Sequence, residues 1–233
     1  MLNDGTRKQL AAACATICTE QGGTMPEAIF GIRDGKVKAA REAAREYVYF
    51  DHSYFRRGWN NGNFRAVRND IHLTELLDRP DDRMKKFGVE IEPWRRTGTE
   101  IVIIPPSQFQ LAVYPCADWL CNIETLLHQV TDRPVICKTG KMQSLREFCK
   151  DAWAVVTYAS VAGVEAALMG IPVFSTPNCP SYPVNAGRIQ DIENPRYVDY
   201  RAKLAAGLAY ASWHWDEVKH IKWDNYRYEM LCA

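Results

Sequence analysis

Residues 156–174 read Val-Thr-Tyr-Ala-Ser-Val-Ala-Gly-Val-Glu-Ala-Ala-Leu-Met-Gly-Ile-Pro-Val-Phe. The run opens inside a β-branched stretch, 154–158, that predicts a buried strand ending in side chains with hydroxyls, Thr157 and Tyr158. Small residues then open a helix expected over 161–169, with Ser160 at its N-cap and one acid, Glu165, inside it. Gly-Ile-Pro-Val leads out into another strand, 172–174. A strand, a capped helix and a second strand in so short a span are one turn of a parallel α/β sheet. At such a helix start, backbone N–H groups without intrahelical partners suit a phosphate, and Gly163 lets a ligand approach closely. Glu165, about a turn further on, is placed to accept hydrogen bonds from sugar hydroxyls.

The same alternation extends on both sides. Upstream, 100–104 (EIVII) predicts a buried strand ending at Pro105-Pro106-Ser107. It is followed by a helix over 117–130, a strand over 134–138 and a helix over 144–151. In a parallel sheet of this kind, ligands bind outside the carboxyl ends of the strands. In the first half, an alanine-rich helix over 6–20 is followed by a strand over 26–32, a helix over 36–46 and the strand Tyr47–Phe50. A further short strand is placed at 63–67. Polar and Gly/Pro-rich residues from 78 to 98 set a boundary near residue 97. The expected organisation is α/β with two Rossmann-like domains and parallel sheets, 1–97 and 98–199. An aromatic tail of helical pattern, 200–233, folds back across the first domain, its Trp213, Trp215, Trp223, Tyr226 and Tyr228 packing as core.

Composition narrows the class. The 233 residues are 47% hydrophobic and 24% charged, enough to close a core without disulfide or metal staples. Twenty-nine Lys and Arg against 28 Asp and Glu exclude a chain coated in basic charge. Residues 1–98 nevertheless hold 17 basic and 14 acidic groups, against 12 and 14 in 99–233, so the positive balance lies in the first half. No stretch reaches the roughly 20 apolar residues of a membrane-spanning helix, and the start lacks a signal-peptide order, so a cytoplasmic protein is expected. The eight cysteines are expected as reduced thiols. Cys116 and Cys121 lack a second pair, which leaves no structural zinc site expected. There is no Walker-type phosphate loop and no glycine-rich dinucleotide fingerprint.

The run Ser160 to Phe174 resembles the donor-binding segment of GT-B glycosyltransferases. In particular it resembles capsule-polysaccharide-type transferases and phage DNA-modifying glycosyltransferases, whose pattern is a serine, small residues, Glu-Ala-Leu, a gap and Gly-x-Pro-Val. Pro105-Pro106-Ser107 resembles the first loop of that donor domain, where small hydroxyl residues face the nucleotide phosphates. Val135-Ile136-Cys137-Lys138 resembles the strand whose basic residue reaches the donor diphosphate. Where the capsule family carries a histidine-proline pair, this chain reads Lys138-Thr139-Gly140-Lys141. The resemblance implies a small GT-B fold and a nucleotide-sugar donor held by Ser107, Lys138, Lys141, Tyr158, Ser160, Gly163 and Glu165. Lysines and a helix terminus would neutralise the leaving diphosphate without a metal or other cofactor.

A second signal is Tyr49-Phe50-Asp51-His52-Ser53-Tyr54-Phe55-Arg56-Arg57-Gly58-Trp59. Asp51 and His52 follow a buried strand directly, and either one suits a general base that takes the acceptor hydroxyl's proton. The resembling proteins carry a glycine where this chain has Ser53. From His52 to Asn69 the chain has no acid. Instead it interleaves Arg56, Arg57, Arg65 and Arg68 with Tyr54, Phe55, Trp59 and Phe64. Arginines among aromatics suit a phosphate backbone and unstacked bases. The expected activity is sugar transfer to an acceptor hydroxyl, with a hydroxymethylated pyrimidine in phage DNA as candidate acceptor and Tyr54, Arg56, Arg57, Arg65 and Arg68 as its contacts. The alternatives are a polysaccharide or lipid-linked acceptor, a sugar-nucleotide epimerase, and a non-catalytic nucleic-acid-binding protein of the same fold.

Overall fold

The computed structural model describes residues 4–20, 22, 24, 26–32, 35–56, 62–140, 143–214 and 217. The protein is a mixed α/β molecule of two compact units. One gathers residues 1–73, 79–89 and 206–233, and the other gathers 74–78 and 90–205.

In the first unit, α1 (Asp4–Glu20), β1 (Glu27–Phe30), α2 (Lys36–Glu42) and β2 (Tyr47–His52) follow in the order read from the sequence. The chain then adds β3 (Asn63–Arg68), α3 (Asp82–Lys86) and, from its far end, β8 (Ser212–His214). The sheet runs β1-β2-β3-β8. Its first pair is parallel, but β2–β3 and β3–β8 are antiparallel. This corrects the expectation of a parallel sheet: only ten residues, 53–62, connect β2 to β3, fewer than the dozen or more that a parallel crossover needs, so the chain returns antiparallel. Leu10, Cys14 and Cys18 recur every four residues on one face of α1. They pack on Val48, Phe50, Phe64, Ala66 and Trp213, the alternate positions of the three strands. Trp213 stacks on Phe64 at 6.4 Å.

The tail is thus only partly helical. α8 (Arg201–Tyr210) gives way to β8, and Trp215, His220, Trp223, Tyr226 and Tyr228 lie outside the described residues. Cys18 is disulfide-bonded, whereas Cys14, Cys116, Cys121, Cys137, Cys149 and Cys179 are free. Among the described residues the all-reduced expectation fails at Cys18, because pairing depends on which sulfurs the fold brings together, and not on whether the core needs a staple.

The second unit contains β4 (Glu100–Ile104), α4 (Gln108–Leu111), α5 (Trp119–Val130), β5 (Val135–Cys137), α6 (Leu145–Phe148), β6 (Ala152–Thr157), α7 (Ala162–Leu168) and β7 (Val173–Ser175). Its sheet has the order β5-β4-β6-β7 and is parallel throughout. Continuous apolar runs such as Ile101–Ile104 and Ala154–Val156 fit strands covered on both faces. Ile123 and Leu127, a turn apart on α5, close one face over Ile101, Ile103, Ala154, Val156 and Phe174. The backbone of 92–95 also belongs to this unit. Glu92 N–H donates to Leu168 O and Arg95 N–H to Gly170 O, so the contacts of the second unit begin ahead of residue 97. Gly170 has φ +74°, and a Cβ there would lie 2.0 Å from Pro93 O, which leaves glycine the one residue that fits. Among the described residues, no helix is long and apolar enough to cross a membrane.

Candidate functional site

β4 connects to β5 on one side of it, and the chain then returns to place β6 on the other, so the strand order reverses between β4 and β6. The loops leaving the carboxyl ends of these two strands therefore diverge around a crevice. Ser107 closes the first loop with a capping box: its Oγ accepts from Gln110 N–H at 3.3 Å, and Gln110 Oε1 accepts from Ser107 N–H at 2.8 Å. Gln110 Nε2 then donates to Ala159 O at 2.6 Å, fastening the loop after β4 to the loop after β6. Below this link, buried Thr157 Oγ1 donates to Ile104 O at 2.9 Å.

The second loop differs in detail from its sequence reading. Val161, and not Ser160, occupies the N-cap position of α7, and it makes no side-chain cap. Ser160 Oγ accepts instead from Ala162 N–H at 3.2 Å, and its carbonyl receives Gly163 N–H. Gly163 is buried. A Cβ added to it would lie 2.6 Å from Ser181 Oγ and 3.1 Å from Thr157 Cγ2. Close packing inside the unit accounts for this glycine, in place of the open approach expected. Ser181, fully buried, also contacts Cys179 Sγ at 3.1 Å and donates to Ser175 Oγ at 3.3 Å. Burial pushes the Cys179 thiol up to about 11 despite those hydrogen bonds, so it is a packing group at neutral pH. Glu165 is exposed on α7.

Lys138 follows β5, with its N–H on Ile103 O at 2.8 Å. Its ammonium donates to Gln143 O at 3.1 Å and lies 4.7 Å from the Phe148 ring centre, turned toward the start of α6. Lys141 lies outside the described residues.

Tyr158 is the expected site residue with the richest surroundings. Asn178 Nδ2 donates to its Oη at 3.1 Å and Thr176 Oγ1 to its carbonyl at 2.6 Å. Burial pushes its phenol up, against the lowering effect of the Asn178 hydrogen bond. Its ring meets Tyr114 and Trp119, each at 5.7 Å, the second edge-on at 77°. These rings border a cavity of about 510 Å³ between the α4–α5 connection and the end of β6. Tyr114 and Trp119 were not singled out by the sequence reading. Trp119 reads there as one apolar position of a helix, and nothing local distinguishes it from core.

In the first unit, the period-two alternation of β2 puts Tyr49 and Asp51 on the face opposite Val48 and Phe50. Asp51 Oδ2 accepts from Tyr49 Oη at 2.6 Å and from Arg65 Nη2 at 3.3 Å, while Oδ1 accepts from His52 N–H at 2.7 Å. The carboxylate is 23% exposed. Burial, followed by the Asp51 charge, drives the Tyr49 phenol upward, so it remains a donor. Arg65, directly across the ladder from Asp51, is 4% exposed and also donates to Ile71 O and His52 O. Ser53 is buried and accepts from Phe55 N–H.

Arg65 is thus an internal tie, and Tyr54, 4% exposed with its Oη receiving Leu73 N–H, is internal too. Neither presents a surface to an acceptor, which corrects both assignments. Phe55 and Phe64 are likewise in the core. Buried apolar neighbours claim these rings, and Arg65 is tolerated among them because its guanidinium finds partners inside. Arg56 is exposed, with Nε on Phe87 O, and Arg68 bonds Glu46; Arg57 and Trp59 lie outside the described residues. Among the described residues, no group of three or more His, Cys, Asp or Glu side chains is gathered to hold a metal. The sequence matches no protein-family model and no curated protein.

Proposed function

We propose that the chain transfers a sugar from a nucleotide-sugar donor to an acceptor hydroxyl, as a small enzyme of the GT-B kind with two Rossmann-like halves. The observation that carries this reading is the Gln110–Ala159 link at the reversal of strand order, with a cavity beside it. Parallel α/β sheets bind nucleotides at this place. The ordered resemblance of Ser107, Lys138 and Ser160–Phe174 to donor-binding segments supplies the sugar nucleotide. The support is strongest for the second unit, since the first has a mixed sheet.

On this reading Asp51, fixed by three hydrogen bonds, takes the acceptor proton, with His52 as the other candidate base. The positive balance of residues 1–98 and the exposed position of Arg56 support an anionic acceptor, of which a hydroxymethylated pyrimidine in DNA is the one to test first. The test is to incubate the protein with plain and hydroxymethylated DNA and labelled sugar nucleotides, then digest to nucleosides for mass analysis. A hexose mass added only to the hydroxymethylated base is expected. Asp51→Asn should abolish that product while leaving donor binding intact. No transfer from any donor to any hydroxyl acceptor would overturn the reading.

One observation favours a second reading. Both Asp51 oxygens already accept hydrogen bonds within the unit, as in a purely structural carboxylate. A non-catalytic protein that binds nucleic acid through the same fold would show salt-sensitive DNA binding and no thermal stabilisation by sugar nucleotides.

A further inference from the structure

We infer that the cavity bordered by Tyr114, Trp119 and Tyr158 is a nucleobase site, with Asp118 and Asn122 reading the polar edge of the base. The inference draws on the nucleotide-donor reading only for the kind of ligand present. The chemistry of the cavity argues the rest.

At about 510 Å³ the cavity has the size of a small-molecule site. Its walls come from Leu111, Pro115, Cys116 and the three aromatic rings, and none of its lining residues is Lys, Arg or His. A phosphate inside it would have no counter-charge and would face the Asp118 carboxylate. A hexose carries hydroxyls around its whole rim, whereas the exposed polar side chains of the lining, Asp118 and Asn122, stand together at one side. A nucleobase has the opposite demand: two apolar faces that gain from aromatic contact, and one polar edge. Asp118 and Asn122 supply for that edge a carboxylate acceptor and an amide that both donates and accepts. They lie one helical turn apart at the start of α5, where Asn122 N–H bonds Asp118 O at 3.0 Å, so both project from the same side. Leu111, 41% exposed, is one of three large apolar side chains left so open among the described residues, and it belongs to this cavity. Tyr158 is held by Asn178 and Thr176 and gives the site a fixed wall.

The test titrates the full chain with adenosine, guanosine, cytidine and uridine, and separately with free glucose, galactose and N-acetylglucosamine, by calorimetry. At least one nucleoside should bind and no free sugar should. Trp119→Leu should weaken that nucleoside about tenfold, the loss of one stacking contact. Asn122→Ala, an exposed change that leaves the core untouched, should alter the ranking of the four bases, and it keeps the inference testable if Trp119→Leu does not fold. Absence of nucleoside binding, sugar binding that depends on Trp119, or an unchanged ranking in Asn122→Ala would each overturn the inference. Nucleoside binding without sugar transfer would leave it standing and remove the transferase reading. Transfer that is indifferent to Trp119→Leu and Asn122→Ala would do the reverse.

Discussion

Arg65 on β3 faces Asp51 on β2 in register across an antiparallel pair, with its guanidinium 3.3 Å from the carboxylate. The same side chain donates to the carbonyls of Ile71 and His52. It therefore ties a strand, its neighbour and the loop beyond in one planar group, a geometry that a lysine cannot reproduce.

Replacing Arg65 by leucine takes the counter-charge from a partly buried carboxylate and the donors from two carbonyls. A loss of about 3–5 kcal/mol in unfolding free energy is expected, the usual cost of breaking a buried pair by one partner. Arg65→Lys should recover less than half of it. Urea denaturation gives the answer, and a loss under about 1 kcal/mol for Arg65→Leu would mean the tie is redundant.

Glu217 predicts the acid behaviour. Burial raises its carboxyl, but hydrogen bonds from Arg83, Lys86 and His214 N–H, with the Arg83 charge, outweigh burial and hold it at about 2. Arg83 grips it at 2.9 and 2.8 Å and donates also to Ala209 O and Ser212 O. A carboxyl lowered on folding contributes stability above its unfolded value near 4.5, and loses it as pH falls from there through about 2. Stability should therefore drop between pH 5 and 2. Glu217→Gln should be less stable than wild type at pH 7 and flatter across that window. Parallel curves for the two proteins would rule out the assignment.

At Gly163 an added methyl collides with Ser181 Oγ and crowds Thr157. Gly163→Ala should cost about 1–3 kcal/mol. Combining it with Ser181→Gly should cost less than the sum of the two single changes, because the second makes room for the first. Strict additivity in thermal unfolding would show that the two residues do not share this space.

Ser107 and Gln110 separate capping from linkage. Ser107→Ala should remove about 1 kcal/mol of capping and speed amide exchange only near α4. Gln110→Ala cuts both the cap and the bond to Ala159, so exchange should quicken in 105–111 and in 158–163 together. Confinement of the Gln110→Ala effect to the first segment would show that the link across the crevice is slack.

The second unit was legible in the sequence because its strands are continuous apolar runs and its helices are short and amphipathic. Glu100–Ile104 and Ala152–Thr157 differ from the expected spans by at most two residues at an end. The first unit was harder to read. In Asn63–Arg68, Phe64 and Ala66 alternate as a half-buried strand should, but the buried Arg65 between them carries a charge that reads as surface. Only the partner strand, with Asp51, explains why it is inside. Tyr54 and Phe64 looked like a base-stacking series for the same reason: sequence spacing does not say which neighbour covers a ring. The Ser107-x-x-Gln110 capping box was readable in principle, as a hydroxyl residue three positions ahead of Gln. The contacts of Tyr158 with Tyr114 and Trp119 were not, because they join residues from separate βα units.

The three residues of β8 have a consequence for how the protein is made. Trp213 and its neighbours complete the first unit's sheet along the outer edge of β3, yet the ribosome reaches them only after the whole second unit has been synthesised. Until then the nascent first unit carries an open strand edge and an unfilled slot beside Phe64, both adhesive to other chains. The second unit, whose strands are contiguous in sequence, is complete on the ribosome before β8 exists, so the first sheet closes only with the last strand to be made.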